Sequence, residues 1–313
     1  MPEIDILLAA YNGEKFIAEQ IDSILGQTFQ DFRLLIRDDG SSDNTPAIIE
    51  EYARKFPGKI EIVHDDVLCK NPYKNFMELL KHAKADYVMF SDQDDVWLPY
   101  KIQVSLWHIK DAERRNPGLP VYVFSGLHVV DENLQSMNRF IILSVDRTEY
   151  KRFTNLLMSN IVPGCTSIFN KALYSKSKGY TDGIPFGHDS FLSALTATCG
   201  VLEHIPAAMI LYRQHKNNKS GYMGVGGGHG YFVSWLIKLR KLRYSGVRMK
   251  CEFLRKNYSD IISPEKMEEL NKFEALLNRN KVVKFFIMLF GKDYNLEGRL
   301  FCRIKYFLRI VLS

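Results

Sequence analysis

The sequence lacks several features that would quickly assign it to a class of protein. None of its apolar runs approaches the ~18 residues that indicate a membrane-spanning helix. Its first residues, Met1–Asp5, are not the basic and then apolar stretch of a signal peptide, so we expect a cytoplasmic protein. The five cysteines include no Cys-x-x-Cys pair, which argues against a zinc ribbon, and their odd number is typical of free thiols.

The composition is ordinary for a globular protein, but the charge is unevenly distributed. The 313 residues are 46% hydrophobic and 25% charged, enough for a large α/β domain with an appendage. Residues 221–313 contain 18 Lys and Arg against 8 Asp and Glu, a net charge of +10. Residues 1–220 contain 24 against 28, a net charge of −4. An acidic N-terminal part followed by a basic C-terminal part indicates that the two parts have different functions.

The first 95 residues alternate between short apolar runs and amphipathic stretches. This alternation predicts βαβ units and a parallel sheet, with strands at 4–10, 32–37, 60–63 and 87–90. Residues 96–220 read as mixed, with strands at 121–124, 127–130, 164–169, 201–205 and 207–212. The Gly-rich residues 216–230 indicate a flexible connection or a lid, and the rest reads as helical. We therefore predict an α/β fold, a doubly wound mixed sheet with a Rossmann-like N-terminal half, followed by a helical basic extension over 221–313.

Three carboxylates follow the predicted strand at 87–90. Asp92, Asp94 and Asp95 would repel one another unless a proton or a cation neutralises them. Mg²⁺ typically binds one or two protein carboxylates together with substrate phosphates, and ligands of open α/β sheets bind beyond the carboxyl ends of the strands. The alternative is that Asp94 or Asp95 caps the helix that follows.

Polar groups also follow the first and second predicted strands. Tyr11 offers a flat face on which a base could stack, and Asn12 beside it offers an amide. Asp39 could accept a hydrogen bond from the imide of uracil or thymine or from a ribose hydroxyl. Each group alone is also explained by turn chemistry, but three in phase at successive strand ends favour a binding site.

Three segments together resemble the family 2 glycosyltransferases, which have the GT-A fold. These segments are Ala9–Gly13, Ile36–Thr45 and Ser91–Trp97, and the resemblance extends over residues 4–215. It implies an inverting enzyme that uses a nucleotide-diphosphate sugar and Mg²⁺ or Mn²⁺. It also implies a nucleotide-binding half at 1–95 and an acceptor half at 96–220.

The resemblance assigns expected roles by position. The residues expected at the nucleotide or donor are Ala10, Tyr11, Asn12, Asp39, Asp92, Gln93 and Arg213. The expected metal ligands are Asp94, Asp92 and His215. The expected general base is Asp189, which would take the proton of the acceptor hydroxyl; the alternative is a helix N-cap. The residues expected at the acceptor or sugar pocket are Trp97, Gly164, Cys165, Thr166 and His188.

Within the family, the segments that include Gly164–Thr166, His188-Asp189 and Tyr212–His215 are similar to bacterial rhamnosyltransferases. This similarity implies transfer of L-rhamnose from dTDP-L-rhamnose to a saccharide or lipid-linked acceptor during cell-wall or surface polysaccharide synthesis. The alternatives are an enzyme that uses a UDP-sugar carrying GlcNAc, Gal or Glc, and a non-catalytic scaffold with the same fold. A sugar-phosphate nucleotidyltransferase is disfavoured because the turn at Tyr11–Glu14 is not basic.

The C-terminal extension combines basic with aromatic and aliphatic residues. Segments such as 238–243, 281–290 and 303–309 are typical of amphipathic helices that lie on anionic membranes, and no nucleic-acid-binding motif is present. A peripheral position at the inner face of the cell membrane would suit a lipid-linked acceptor. The alternative is that these helices pack internally or against another subunit of a homo-oligomer.

Overall fold

The computed structural model describes residues 1–141, 153–158, 162–177, 187–216, 218 and 245–279. The chain divides into two compact units. The first comprises residues 1–144 and 162–218, and the second comprises residues 145–161 and 219–313.

The first unit is built on one mixed sheet. Its strands are β1 (Ile4–Ala10), β2 (Phe32–Asp38), β3 (Ile60–Ile62), β4 (Tyr87–Asp92), β5 (Val96–Trp97), β6 (Val121–Val130), β7 (Ser136–Ile141), β8 (Ser167–Asn170) and β9 (Val201–Arg213). Its helices are α1 (Ile17–Leu25), α2 (Thr45–Lys55), α3 (Pro72–Lys81), α4 (Lys101–Arg115), α6 (Lys171–Ser177) and α7 (His188–Cys199). The second unit contains α5 (Phe153–Met158), α8 (Ser245–Tyr258) and α9 (Pro264–Leu277).

The N-terminal half of the sheet is parallel, in the order β3-β2-β1-β4, as the sequence predicted. Five of the seven residues of β1 are completely buried, which fits a parallel strand covered on both faces. In the register, Ala10 pairs with Asp38 and Ala9 pairs with Asp92. The carboxyl ends of β1, β2 and β4 therefore meet at one edge of the sheet.

The sheet continues as β8-β6-β9-β5, in which β8 runs antiparallel to β4 and to β6. β9 is parallel to β6 and antiparallel to the short strand β5. Leu211 on β9 pairs with Val96 on β5, so the residues that follow β9 lie beside the turn that precedes β5. This pairing positions one side of the candidate site.

Two predicted breaks in the second half were wrong. Residues 121–130 form the single strand β6, and residues 201–213 form the single strand β9. The β6–β9 register shifts near Ser125 and Gly126, opposite Ile205 and Ala208. Pro206 has no N–H to donate to the ladder, and the irregularity lets both strands continue past it. The short strands β5 and β7 were not predicted.

The described part of the second unit consists of three helices. α8 and α9 bury apolar residues such as Leu254 and Phe273, and Arg255 forms an ion pair with Glu274. The predicted basic segments at 238–243, 281–290 and 303–309 lie outside the described residues. Within the described ranges, no helix combines the length and apolar content needed to cross a membrane.

The parallel half contains a buried ion pair that allows a matched test of stability. Asp5 is fully buried and accepts hydrogen bonds from Arg33 at 2.9 and 3.0 Å and from the N–H groups of Lys84 and Ala85. Glu61 binds the same Arg33 at 2.6 Å, but half of its side chain is exposed.

We expect Asp5→Ala to lower the free energy of unfolding by about 3–5 kcal/mol, because it leaves two N–H groups and two of the three nitrogens of the partly buried Arg33 guanidinium without an acceptor. Glu61→Ala should cost less than about 1 kcal/mol, because solvent screens an exposed pair. Urea unfolding of both variants measures the difference. Equal losses would contradict the assignment of Asp5 as the buried anchor.

Candidate active site

Three loops meet at the carboxyl edge of β1, β2 and β4, as predicted. Gln93 Oε1 accepts the N–H of Tyr11 at 2.7 Å, and Gln93 Nε2 donates to the carbonyl of Tyr11 at 2.9 Å. Asn12 donates its N–H to Ser41 Oγ at 2.7 Å, and its Oδ1 accepts the N–H of Ser42 at 2.8 Å. These side-chain bonds hold the three loops together beyond the ends of the strands.

The two residues predicted to bind the base, Tyr11 and Asp39, both follow strands that end at this edge. The side chain of Tyr11 is half exposed, whereas Asp39 is buried. Asp39 Oδ1 accepts the N–H of Cys69 at 2.6 Å, and the Asp39 N–H donates to the carbonyl of the buried Ala10 at 2.9 Å. Asp39 is therefore fixed in orientation beside Ala10, the residue that precedes Tyr11.

Asp92, at the end of β4, lies in a crowded cluster with the buried side chains of Asp95 and Cys165. One ligand atom each of Asp92, Asp95 and Cys165 lies within 4.8 Å of the others. Asp95 is completely buried, and its Oδ1 accepts the N–H of Arg213 at 3.2 Å. Its Oδ2 has no partner with hydrogen-bond geometry among the described residues. A buried carboxylate oxygen without a partner, next to a second carboxylate, is suited to a divalent cation.

The electrostatics of the cluster support this fit. Burial, together with the negative charges of Asp94 and Asp189, raises the pKa of Asp92 to about 7. Burial also raises the pKa of Asp95 well above its usual range, with added repulsion from Asp94 and Asp92. Positive charge at this position would relieve both the repulsion and the loss of hydration.

The other two expected metal ligands are close to each other. His215 Nε2 lies 2.8 Å from Asp94 Oδ2, and the His215 ring packs 4.8 Å from the ring of Phe16. Asp95 and Cys165 lie beside Asp92 on the buried side and offer further ligand atoms that could hold an ion. Asp95 was visible as part of the acidic run, but its burial depends on β9, which is distant in sequence.

The structure corrects the expected contact of Arg213 with phosphate. Arg213 Nε donates to the carbonyl of Asp94 at 2.9 Å, one terminal nitrogen donates to the carbonyl of Glu132 at 2.6 Å, and the other binds the carboxylate of Glu19. The guanidinium also lies 4.6 Å from the centre of the Phe16 ring, and the residue is 2% exposed. Arg213 therefore holds the acidic loop in place and is committed to protein oxygens.

Trp97 also differs from its expected place in the acceptor pocket. It is 2% exposed and belongs to the main apolar core of the first unit, because β5 pairs with β9 above it. Lys101 Nζ lies 3.6 Å from the centre of the Trp97 ring, and burial lowers the pKa of this lysine to about 7. Lys101 was not singled out from the sequence, because a lysine in the first turn of a helix is usually exposed.

Asp189 lies in the first turn of α7, and the N-cap is Gly187, so the alternative role of Asp189 as N-cap does not apply. Asp189 is buried, and its Oδ1 accepts the N–H of Ser190 at 2.7 Å. The positive end of the helix dipole stabilises a carboxylate at this position. Because the charge of Asp189 raises the pKa of Asp92, the two groups act on one another across the site.

His188 lies in an aromatic cage beside Asp189. Its ring centre is 4.3 Å from that of Phe76 and 4.8 Å from that of Phe90, and burial lowers its pKa, which keeps the ring neutral. Gly164 is required here, because a Cβ at this position would lie 2.5 Å from His188 Nε2. Thr166, also buried, donates its hydroxyl to the carbonyl of Pro163 at 2.7 Å. The predicted pocket residues Gly164, Cys165 and His188 are thus brought together.

The raised pKa of Asp92 predicts a pH effect in the metal-free protein. Because a carboxyl whose pKa is raised by folding binds its proton more tightly when folded, its contribution to stability is present below about pH 4 and is lost as pH rises through about 7. We expect the stability of the wild type relative to Asp92→Asn to fall by on the order of 2 kcal/mol over this window. Urea unfolding of both proteins in the presence of a chelator, at several pH values, measures this difference in stability. Asp111→Asn is the control, and a constant difference for Asp92→Asn would contradict the assignment.

Comparison with known proteins agrees with this geometry. The sequence profile of Glycosyl transferase family 2 matches residues 5–175. The dTDP-rhamnosyl transferase RfbG of Shigella flexneri is 30% identical over 226 residues, which cover 68% of this chain and 73% of that protein.

Solved structures show the same fold at lower identity. S. aureus TarS 1-349 in complex with UDP-GlcNAc superposes with a TM-score of 0.52 and 18% identity, covering 82% of this chain and 73% of that one. Mannosyltransferase PcManGT from Pyrobaculum calidifontis, in complex with GDP-Man and Mn²⁺, superposes with a TM-score of 0.56 and 15% identity, covering 90% and 71%. The predicted GT-A fold is confirmed, and the chain belongs to glycosyltransferase family 2, a family of inverting transferases.

Proposed function

We propose that the protein transfers L-rhamnose from dTDP-L-rhamnose to a saccharide or lipid-linked acceptor in the synthesis of a bacterial cell-wall or surface polysaccharide. The observation that carries the transferase chemistry is the placement of the buried acidic cluster next to Asp189, at the edge where Tyr11 and Asp39 also lie. The similarity to a dTDP-rhamnosyl transferase over 68% of the chain supports the choice of donor.

In this proposal, the donor nucleotide occupies the edge formed by the loops after β1 and β2. The exposed ring of Tyr11 stacks on the base, and Asp39 accepts the hydrogen bond of its imide. Gln93 fixes the backbone of Tyr11 from both sides, and Asn12 fixes the neighbouring turn. Ala10 contributes its carbonyl, which orients Asp39.

The proposed cofactor is Mg²⁺ or Mn²⁺. Asp94, Asp92 and His215 would hold it, with Asp95 behind them, and the ion supplies positive charge that offsets the charge developing on the departing diphosphate. Arg213 holds the backbone carbonyl of Asp94 and the carboxylate of Asp95 in position.

Asp189 is the proposed general base. Inversion requires the acceptor hydroxyl to attack the anomeric carbon on the face opposite the diphosphate, and one carboxylate must receive the proton of that hydroxyl. Asp189 is separate in sequence from the cation ligands and lies in the first turn of a helix. His188, held neutral, borders Asp189 without placing a competing positive charge beside it.

The second candidate is transfer from a UDP-sugar such as UDP-GlcNAc. The complex of S. aureus TarS with that donor, on the same fold, is the observation in its favour. The non-catalytic scaffold is disfavoured, because the chain keeps both the acidic cluster and the carboxylate at position 189.

Two substitutions separate the proposed roles. Asp94→Ala should weaken Mn²⁺-dependent binding of dTDP by roughly 10- to 100-fold or more, because it removes a ligand and the partner of His215. Asp189→Asn should preserve that binding and lower the transfer rate by about 10²- to 10⁴-fold. Calorimetry with dTDP, with and without Mn²⁺, and a transfer assay with dTDP-L-rhamnose measure the two effects.

Asp111→Ala, a change on the far end of α4, serves as the control and should leave both quantities unchanged. Unaltered metal-dependent affinity in Asp94→Ala would place the cation elsewhere. Retained transfer in Asp189→Asn would remove this residue as the base. Higher turnover with UDP-GlcNAc than with dTDP-L-rhamnose would favour the second candidate.

We also propose that the basic C-terminal extension places the enzyme on the inner face of the cell membrane, where a lipid-linked acceptor would be found. The support is its net charge of +10 together with its aromatic and aliphatic residues.

The protein should float with vesicles that contain anionic lipid and should detach as salt screens the attraction. A variant truncated after residue 230 should not float. Neutral vesicles are the control for charge. Equal flotation of the truncated and full-length proteins would contradict the membrane role of the extension and leave subunit docking as the alternative.

A further inference from the structure

The loop between β3 and α3, residues 63–71, borders the site proposed for the nucleotide base. It carries two exposed apolar side chains. Leu68 is 63% exposed, and Val67 beside it is 47% exposed. Single exposed apolar residues are common on protein surfaces and need no explanation. The position of Leu68 is unusual because the backbone on both sides of it is fixed by buried polar groups.

One side of Leu68 is fixed by Arg37, which is among the largest fully buried side chains. Its guanidinium binds both oxygens of Asp65, at 2.8 and 2.6 Å, and also binds the carbonyl of Val67. The Asp65 carboxylate further accepts the N–H of Val67 at 2.9 Å. This contact with Arg37 lowers the pKa of Asp65 to about 2, so the pair remains charged at neutral pH.

The other side of Leu68 is fixed by Asp39, the residue proposed to recognise the base. The Cys69 N–H donates to Asp39 Oδ1 at 2.6 Å, and a weaker bond of 3.4 Å joins Asp39 to Arg37. Leu68 thus lies between two anchored backbone positions, so its backbone loses little freedom when the side chain contacts a ligand.

The Leu68 side chain packs on the turn that follows Asp39. Gly40 has a positive φ of 81°, and a Cβ built on it would lie 2.8 Å from Leu68 Cδ2. The glycine therefore allows an apolar side chain to rest on the backbone next to Asp39 while most of its surface stays open to solvent. An apolar ligand group placed beside Asp39 would cover that surface.

A pyrimidine base that donates its imide N–H to Asp39 can place an apolar group beside that residue. When the imide N–H of the base donates to a carboxylate, the 4-oxo group and then position 5 of the ring follow along the same side. Thymine carries a methyl group at position 5, and uracil carries a hydrogen. We infer that Leu68 is a specificity-determining residue that contacts the 5-methyl group of thymine and so favours a thymidine-diphosphate donor over a uridine-diphosphate donor. This inference rests on the proposed function, because it takes Asp39 as the acceptor of the imide.

The test compares nucleotides that differ in one group. The diphosphates dTDP and dUDP differ only in the 5-methyl group, whereas dUDP and UDP differ only in the 2′-hydroxyl. In the presence of Mn²⁺, wild type should bind dTDP about fourfold more tightly than dUDP, the effect of burying one methyl group. Leu68→Ala should bring the ratio of the two affinities close to one, mainly by weakening the binding of dTDP.

Two further variants control the result. Leu68→Met keeps an apolar side chain and should retain most of the preference. Leu119→Ala changes another exposed leucine, in the turn before β6, and should leave the ratio unchanged. Calorimetric titration of each purified protein gives the affinities, and circular dichroism confirms that each variant is folded.

The outcomes distinguish this inference from the proposed function. If wild type binds dTDP and dUDP equally, or if Leu68→Ala keeps the preference, Leu68 does not read the methyl group and the glycosyltransferase proposal stands. If neither nucleotide binds with Mn²⁺, the proposed donor site is removed and this inference is removed with it.

Discussion

Repulsion among the carboxylates that follow β4 is the constraint on which the site depends. Asp92, Asp94 and Asp95 lie at the end of one strand, and Asp189 on α7 acts on Asp92, so the ionised forms of these carboxylates oppose one another. Such an arrangement persists only when surrounding structure holds it, and here Arg213 fixes the backbone of the loop from β9. The same repulsion that makes the cluster costly in the free protein is what the proposed cation would relieve.

The two halves of the sheet contribute differently to this site. The parallel half supplies the edge proposed for the nucleotide, because its register aligns the ends of β1, β2 and β4. The other half supplies the restraint and the proposed base. β9 pairs with β5, the strand that directly follows the acidic turn. α7 begins at His188, whose ring packs against the rings of Phe76 and Phe90. Strands and a helix hold the crowded carboxylates in position against their mutual repulsion, which loops alone would not do.

The sequence predicted the structure correctly where the local residue pattern and the long-range strand pairing agree. The loops at Tyr11, Asp39 and Asp92 were placed together correctly, because parallel strands of similar length must end at one edge. Trp97 and Arg213 were misassigned because their burial is set by the pairing of β5 with β9, more than 100 residues apart in the chain. The breaks predicted near Gly126 and Pro206 failed because a register shift accommodates residues that usually end a strand.

Gln93 has a consequence for how ligands affect one another. Its side-chain amide bonds both the N–H and the carbonyl of Tyr11, so it acts as one extra rung of the sheet between β1 and β4. The platform for the base and the turn that carries the acidic residues therefore move as one body. A ligand that orders one of them reduces the entropy that the other must lose on binding, which makes the two events mutually favourable. The proposed nucleotide and cation sites are thereby linked through a single neutral side chain, that of Gln93.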